Sequence, residues 1–346
     1  MKNILTYAIS LAVAGGLLWF VFKDIDLNAM FAALGQANLF WVGVYAVIAM
    51  LSHWSRGVRW SLLLEPVVGH RPSQFDSLLA VMTGYFANLL IPRMGEVTRC
   101  GTMNRLEGIP VNVSFGTVVA ERIFDVLMLL VIIGLTLVLE FTRLSDLVFG
   151  LFAGKGGNGS RTGLYLVLAV GIGGAVIAWF MYNKYKEVLR RNALFVKVET
   201  FVLGLVDGLL SVRKLRQPGL FIFHTLLIWT LYYLTMYVLF FAMPQTANLG
   251  PVAALTILMM GTIGMAAPTQ GGLGAFNIMV GSALVIYGLT QQDGQTLATL
   301  MLLSQWAVVI IFGGLSFLIV LSRSKKAGAE VGTSPVSAEQ GSRSTF

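Results

Sequence analysis

The sequence predicts an all-α, polytopic helical membrane protein, and composition and hydropathy together carry that prediction. Hydrophobic residues make up 56% of the 346 residues and charged residues 12%, with a mean hydropathy of +0.79. Soluble domains carry about 25% charged residues, so lipid must be the solvent for most of this chain. Several apolar runs reach the roughly 18 residues that a helix needs to cross a bilayer. The single cysteine, Cys100, excludes a disulfide-rich extracellular fold.

The apolar segments predict about six to eight spans, with one or two re-entrant or broken helices. They cover residues 4–22, 38–55, 77–92, 112–139, 163–182, 219–242, 251–268, 273–290 and 297–321. The third is short and ends at Pro92, which favours a re-entrant segment. The seventh and eighth form either two spans or one hairpin that enters from the external side. Residues 1–322 are therefore one transmembrane domain, and residues 323–346, which are poor in large apolar side chains, are expected to be a disordered tail.

Basic residues predict the orientation of the chain. With the amino terminus inside, 19 of the 24 lysines and arginines fall in cytoplasmic pieces and four in external ones, while Arg122 lies within a span. Because cytoplasmic loops carry the excess of basic residues, we expect both termini and the Lys184–Arg216 loop in the cytoplasm. The net charge of +8 then reflects this asymmetry and contact with anionic lipids, not nucleic acid. Tryptophans near the span ends are expected at the membrane interface; they are Trp19, Trp41, Trp54, Trp60 and Trp179.

Charged residues enter the membrane in the fourth span. Glu121 and Asp125 are four residues apart and share a helix face, with Arg122 at its edge. Charges at this depth are costly, so they usually pair inside the bundle and mark a pathway. The alternative is a pair above the hydrocarbon that only stabilises a long helix.

A second cluster follows the third apolar segment. It contains Asn88, Pro92, Gly95, Glu96 and Arg99. Pro92 breaks the helix and Gly95 permits a close backbone approach, while Glu96 and Arg99 are three residues apart. Irregular backbone at membrane depth is tolerated where it is buried or lines a cavity, which favours a ligand site over a solvated loop.

Two further clusters complete the pattern. Arg56 and Arg59 share a helix face at the end of the second span, where they either bind phosphate or anchor the span at the cytoplasmic interface. Pro268 with Gly271, Gly272 and Gly274 repeats the proline–glycine break of the second cluster from the opposite side of the membrane. Opposed breaks are typical of inverted-repeat transporters, although small residues also serve close helix packing. The three histidines are scattered, have no metal-site spacing and are interpreted as structural.

These clusters, in this order, resemble the flippase-like transmembrane region of lysylphosphatidylglycerol synthases, in the stand-alone form that lacks the aminoacyl-transferase domain. The motifs are Arg56-x-x-Arg59-Trp60, Asn88-x-x-x-Pro92-x-x-Gly95-Glu96-x-x-Arg99, Glu121-Arg122-x-x-Asp125 and Pro268-x-x-Gly271-Gly272-x-Gly274. The resemblance covers about residues 4–322 and implies a prokaryotic integral membrane protein that moves or handles lipids between leaflets. The family usually has a second proline where Gln270 stands and an acidic residue where Asn277 stands.

The sequence therefore favours a lipid flippase or transporter in the inner (cell) membrane of a prokaryote. Its expected partners are membrane lipids, either an anionic phospholipid or a polyprenyl-phosphate-linked glycan lipid, and no cofactor is expected. The headgroup cavity is expected to involve Arg56, Arg59, Asn88, Pro92, Gly95, Glu96, Arg99, Glu121, Arg122, Asp125, Pro268, Gly271, Gly272 and Gly274. The alternative is a non-catalytic scaffold for a lipid or envelope-synthesis enzyme. An enzyme is disfavoured because no nucleophile, metal cluster or positioned base is evident.

Overall fold

A computed structural model describes residues 23, 26–140, 212, 215–267 and 269–332, and every described helix belongs to one all-α assembly. The first and fifth apolar segments, at 4–22 and 163–182, lie outside the described residues. The helices are α1 (Leu27–Gly35), α2 (Leu39–Val68), α3 (Gln74–Leu90), α4 (Gly95–Glu107), α5 (Val111–Leu139), α6 (Pro218–Phe240), α7 (Pro251–Ala266), α8 (Ala275–Ile286), α9 (Gln291–Val308) and α10 (Gly314–Gly332).

Capping residues define the starts and ends of these helices. The side chains of Asn38, Ser73 and Thr290 accept hydrogen bonds from the first turns of α2, α3 and α9. Proline opens α6 and α7, where its missing N–H is not needed. Gly69 ends α2 in the left-handed conformation that favours glycine (φ 82°).

Contacts between the helix ends divide the molecule into two faces. On the first, the Asn38 N–H donates to the Ala242 carbonyl (2.8 Å) and the Asp26 N–H donates to Gln292 (3.1 Å). On the second, Arg216 pairs with Glu65 (3.3 Å), and Arg323 pairs with Asp76 (2.5 Å). Therefore α2 and α6 run antiparallel between the two faces. We name the first the acidic face, after Asp26 and Asp293, and the second the basic face, after Arg216 and Arg323.

Helices α3 and α4 form a hairpin, hairpin 1, that opens on the basic face. The Gly95 N–H donates to Asn88 Oδ1 (2.6 Å), and a Cβ built on Gly84 would lie 3.1 Å from Arg99 Cβ. Because Asn88 contacts Gly95 and Gly84 lies beside Arg99, the two helices of the hairpin run antiparallel. At 17 residues, α3 is about 25 Å long and stops short of the roughly 30 Å hydrocarbon core. The structure thus confirms a segment that turns back instead of crossing.

Helices α7 and α8 form a second hairpin, hairpin 2, that opens on the acidic face. A Cβ on Gly264 would meet Phe276 Cα at 2.8 Å, and one on Gly261 would meet Val280 Cγ2 at 3.5 Å, so these arms are also antiparallel. With 16 and 12 residues, neither helix can cross the hydrocarbon core. Of the two arrangements left open for residues 251–290, the structure has the hairpin.

The tips of the two hairpins meet inside the bundle. A Cβ on Gly271, in the turn of hairpin 2, would lie 2.8 Å from Leu89 Cδ2 of hairpin 1 and 2.8 Å from Trp306 Nε1. Trp306 Nε1 donates to the Gly271 carbonyl (3.1 Å), which fixes this turn against α9. Two opposed, non-spanning hairpins therefore share one contact region between the two faces.

The long helices agree with the predicted spans and in two places exceed them. Among the described residues, α5, α6 and the continuous run Gln291–Arg323 are long and apolar enough to span a membrane, and α1 with α2 would add a span bent by 81°. The last run contains a π-helical segment, Val309–Gly313, which packs on α3. Its helix continues to Gly332, so the first residues of the predicted tail are helical. Helix α2 extends to Val68, well beyond the predicted end at 55.

Candidate functional site

The charged residues of α5 lie deep within the membrane domain. Arg122 is roughly 17 Å along the axis from the first residue of α5, at 1.5 Å per residue, and the hydrocarbon core is about 30 Å thick. The predicted face is present, because Glu121 and Asp125 both point toward α2 and contact Arg56 and Arg59. The structure therefore places these charges within a helix long and apolar enough to span a membrane, and the buried Glu121 needs partners there.

Glu121 is the centre of the cluster and is fully buried. Its Oε1 accepts hydrogen bonds from Arg56 Nε (2.7 Å) and Arg59 Nη2 (3.0 Å), and its Oε2 accepts from Arg99 Nη2 (2.7 Å). The three arginines come from α2 and α4, so one carboxylate joins α5 to α2 and to hairpin 1. Arg56 and Arg59 are thus members of a buried ion cluster, not anchors at the membrane surface.

Asp125 lies one turn further along α5 and is shared among three arginines. Arg59 Nη2 donates to Oδ1 (2.7 Å), while Oδ2 accepts from Arg56 Nη2 and from Arg122 Nη1 (3.2 Å). Arg122 Nε also donates to Glu96 Oε1 of hairpin 1 (2.8 Å). Arg122 and Glu96 are the accessible members, with side chains 43% and 39% exposed.

Two tyrosine hydroxyls complete the coordination of Arg56. Its Nη1 donates to Tyr85 Oη (2.7 Å) on α3 and to Tyr232 Oη (2.8 Å) on α6. Arg56 therefore has partners from α3, α5 and α6, which holds its guanidinium in one orientation.

Trp60 corrects one expectation from the sequence. It was expected at the membrane interface, but that assignment is wrong, because Trp60 is fully buried and donates from Nε1 to Thr117 Oγ1 (3.0 Å). The Arg99 guanidinium stacks on its ring, with Cζ 3.8 Å from the centroid. Stacking on an indole orients an arginine that is also paired with Glu121.

The buried cluster carries more positive than negative charge. Arg56, Arg59 and Arg99 contribute three positive charges, whereas Glu121 and Asp125 contribute two negative ones. In addition, Arg59 Nε, Arg59 Nη1 and Arg99 Nε are buried without a hydrogen-bond partner among the described residues. A buried, uncompensated cation is costly, so this cluster is suited to an anion.

A cavity of about 400 Å³ lies beside the cluster. Arg56, Arg122 and Asp125 form its charged wall, and Met265 and Ala266 of hairpin 2 form part of its apolar wall. The remaining lining is mostly apolar and aromatic, with scattered polar groups: Tyr45, Ala49, Ser52, His53, Tyr85, Val126, Leu129, Trp229, Tyr232, Thr235, Met236, Leu258, Gly261, Thr262, Phe276, Gln305 and Val309. The cavity is amphipathic, with charge at one side and apolar surface on the other.

A second, much smaller cavity of about 20 Å³ adjoins the tip of hairpin 1. Arg122 and Tyr85 line both cavities and so stand between them. The other polar lining residues are Asn88, Glu96 and Arg99. Such a volume holds about one water molecule.

The structure brings most of the predicted residues together but gives them different positions. Arg56, Arg122 and Asp125 line the large cavity, Asn88, Gly95, Glu96, Arg99 and Arg122 line the small one, and Arg59 and Glu121 lie buried between the helices. Pro92 lies in the turn of hairpin 1. Gly271, Gly272 and Gly274 form the turn of hairpin 2 with positive φ angles and line neither of the two cavities. Pro268 lies outside the described residues.

Sequence reasoning missed several polar groups of the site. Tyr85, Tyr232, Tyr45 and Gln305 lie in apolar helices, and His53 was treated as structural although it lines the cavity. Its Nδ1 is buried and has no hydrogen-bond partner among the described residues. A polar side chain in the middle of an apolar run was the available signal for Tyr232 and Gln305.

Comparisons with known proteins agree with this architecture. Residues 7–313 match the family described as the lysylphosphatidylglycerol synthase TM region. A UPF0104 membrane protein of Methanocaldococcus jannaschii is 28% identical over 131 residues, which are 36% of this chain and 39% of that protein. The glycosyltransferase AglD of Haloferax volcanii is 29% identical over 158 residues, 43% of this chain and 25% of that protein.

Both matches span well under half the length of these curated relatives. No solved structure matches the chain. The family match, however, covers most of the sequence and includes every described residue of the charged cluster. The chain therefore belongs to the lysylphosphatidylglycerol synthase transmembrane-region family and is a multi-pass membrane protein.

Proposed function

We propose that this protein binds the headgroup of a phosphate-bearing anionic lipid and moves it between the leaflets of a prokaryotic cell (inner) membrane. The observation that carries the proposal is the large amphipathic cavity between the two faces, whose charged wall belongs to a cluster with excess positive charge. A lipid presents the same combination, an anionic group joined to apolar chains. The basic face is cytoplasmic in this proposal, because cytoplasmic loops carry the excess of arginine and lysine.

Two lipid classes fit this chemistry, an anionic phospholipid and a polyprenyl-phosphate-linked lipid. The similarity to a protein named a glycosyltransferase supports the second class, and that match covers a quarter of the glycosyltransferase. Among the described residues no group of three or more histidines, cysteines or acidic residues could hold a metal ion. We propose binding and movement of the lipid, without a chemical step.

Arg122 provides the direct test. Arg122→Ala should lower leaflet exchange of fluorescent phosphatidylglycerol in proteoliposomes about tenfold or more, because a hydrogen bond to a charged group contributes about 1.5–3 kcal/mol. Arg122→Lys should restore part of the exchange, since it keeps the charge but loses the planar fork. Arg323→Ala is the matched control, because Arg323 is similarly exposed and paired with an acid but lies away from the cavity.

The outcome separates a transporter from a scaffold. Loss of exchange in Arg122→Ala at wild-type melting temperature supports the transporter. Wild-type protein that exchanges neither labelled anionic nor polyprenyl-phosphate lipid, under any imposed proton or sodium gradient, would favour a non-catalytic scaffold.

A further inference from the structure

We propose that the Glu96 carboxylate occupies a phosphate subsite beside the large cavity and that the lipid phosphate replaces it on Arg122, which lines both cavities. This inference rests on the proposed function and deepens it, because it assigns the subsite and the internal group that competes for it. In the structure, Glu96 Oε1 accepts from Arg122 Nε (2.8 Å). A carboxylate and a phosphate oxygen present the same acceptor to a guanidinium group.

Exposure distinguishes this ion pair from the rest of the cluster. The side chains of Arg122 and Glu96 are 43% and 39% exposed, whereas those of the other cluster members are at most 16% exposed. Exposed pairs contribute little to stability and exchange partners readily, while buried pairs do not. Arg122 also lines the large cavity, so a ligand there can reach it.

The charge of the cluster permits the exchange, because one monoanion replaces another. The Arg122–Glu96 pair is neutral, and the buried part of the cluster keeps one net positive charge. When Glu96 leaves, Arg122 adds a second positive charge at the same place. An incoming monoanionic phosphate diester therefore meets an attractive field that Glu96 otherwise reduces.

Space and unused donors favour a group larger than a carboxylate. The small cavity of about 20 Å³ lies against Glu96 and Arg122 and is also lined by Arg99. Arg99 Nε is buried and has no hydrogen-bond partner among the described residues. A phosphate group carries more acceptor oxygens than the carboxylate, and the adjoining space, which holds about one water molecule, has room for one further oxygen.

The exchange also changes how hairpin 1 is held. Glu96 lies in the first turn of α4, and Arg122 lies on α5. Their ion pair is thus a tether between hairpin 1 and a spanning helix, next to the turn at residues 91–94. Binding of the phosphate removes this tether while the Arg99–Glu121 pair stays, so substrate binding and the position of the hairpin are linked.

The test is the affinity of the purified, full-length protein in detergent for a short-chain fluorescent phosphatidylglycerol. Glu96→Gln removes the competing charge and keeps the side-chain shape, so it should tighten binding about two- to fivefold, the range expected for an exposed ion pair. Asp76→Asn, which removes the acid of another ion pair on hairpin 1, should leave the affinity unchanged. A merely structural Glu96 would give no gain in affinity.

The other arms identify what has failed if the result differs. Suppose that Glu96→Gln binds the lipid no more tightly than wild type while Arg122→Ala still binds it less tightly. This result overturns the inference that Glu96 occupies the phosphate subsite and leaves the proposed function intact. Wild-type binding in Arg122→Ala overturns both. Loss of folded protein in Glu96→Gln and in Glu96→Ala assigns the pair to stability and also overturns the inference. Inorganic phosphate that competes as strongly as the labelled lipid would make the ligand a free anion instead of a lipid.

Discussion

Glu121 holds three helices together through a single carboxylate. It is fully buried and accepts hydrogen bonds from Arg56, Arg59 and Arg99, while Asp125 supplies the second negative charge. Residues with this many charged partners in a low-dielectric setting stabilise the fold only as a complete set. Glu96 differs, because its partner Arg122 faces the cavity and both side chains are accessible.

Glu121→Gln should therefore destabilise the protein strongly. The substitution keeps the size of the side chain but leaves Arg56 and Arg59 with Asp125 and takes from Arg99 its Glu121 carboxylate. Breaking a buried pair costs about 3–5 kcal/mol. We expect a marked fall in melting temperature in detergent and less folded protein. Glu96→Gln is the control, since an exposed pair is worth at most about 1 kcal/mol. Equal melting temperatures for the two variants would show that the buried cluster does not support the fold.

At the scale of elements, two hairpins from opposite faces meet near the cavity. The Pro92–Gly95 break predicted hairpin 1, because proline and glycine stop a helix where the backbone must turn. The Gly271–Gly274 break left both two spans and a hairpin open, and the structure has the hairpin. The sequence could not reveal that Gly271 contacts Leu89, since contacts between distant segments leave no local pattern. For the same reason Trp60 was misplaced: the sequence shows an aromatic residue at a predicted span end, but not the helix that covers it.

Hairpin 1 depends on the close approach of its two arms at Gly84. A Cβ at this position would lie 2.7 Å from the Gly95 carbonyl oxygen and 3.1 Å from Arg99 Cβ, so Gly84→Ala must push α4 away from α3. Overpacking of this kind costs about 1–3 kcal/mol, and it displaces Arg99 from Glu121. We expect lower thermal stability together with weaker binding of anionic lipid.

Gly101→Ala provides the matched control for this prediction. It makes the same change on α4, but a Cβ there meets nothing within 4 Å, and alanine is a better helix former than glycine. The melting temperature should stay the same or rise slightly. If Gly84→Ala were as stable as Gly101→Ala and bound lipid normally, the packing of hairpin 1 would not position Arg99.

At the scale of the whole molecule, the charged cluster and the cavity lie between the faces, with one hairpin open to each. Composition and hydropathy were sufficient to predict an all-α membrane protein and the position of α5, because a long apolar helix needs no partner to be recognised. Composition and hydropathy did not predict how far α2 extends. Its second half carries Arg56 and Arg59 and looks like a surface loop in the sequence, because their partners Glu121 and Asp125 lie on a distant segment. Burial of paired charges is a tertiary property, and one sequence does not display it.

The orientation of the two faces gives the last prediction. His70 lies on the basic face between α2 and α3, and Asn248 lies on the acidic face between α6 and α7; both are exposed. Because cytoplasmic loops carry the excess of basic residues, we expect His70 inside and Asn248 outside. In a Cys100→Ser background, an impermeant maleimide applied to intact cells should label Asn248→Cys at once and His70→Cys only after the membrane is opened. The reverse pattern would invert the molecule, so that hairpin 1 opens toward the outside. Labelling of both positions in intact cells would contradict the two-faced arrangement.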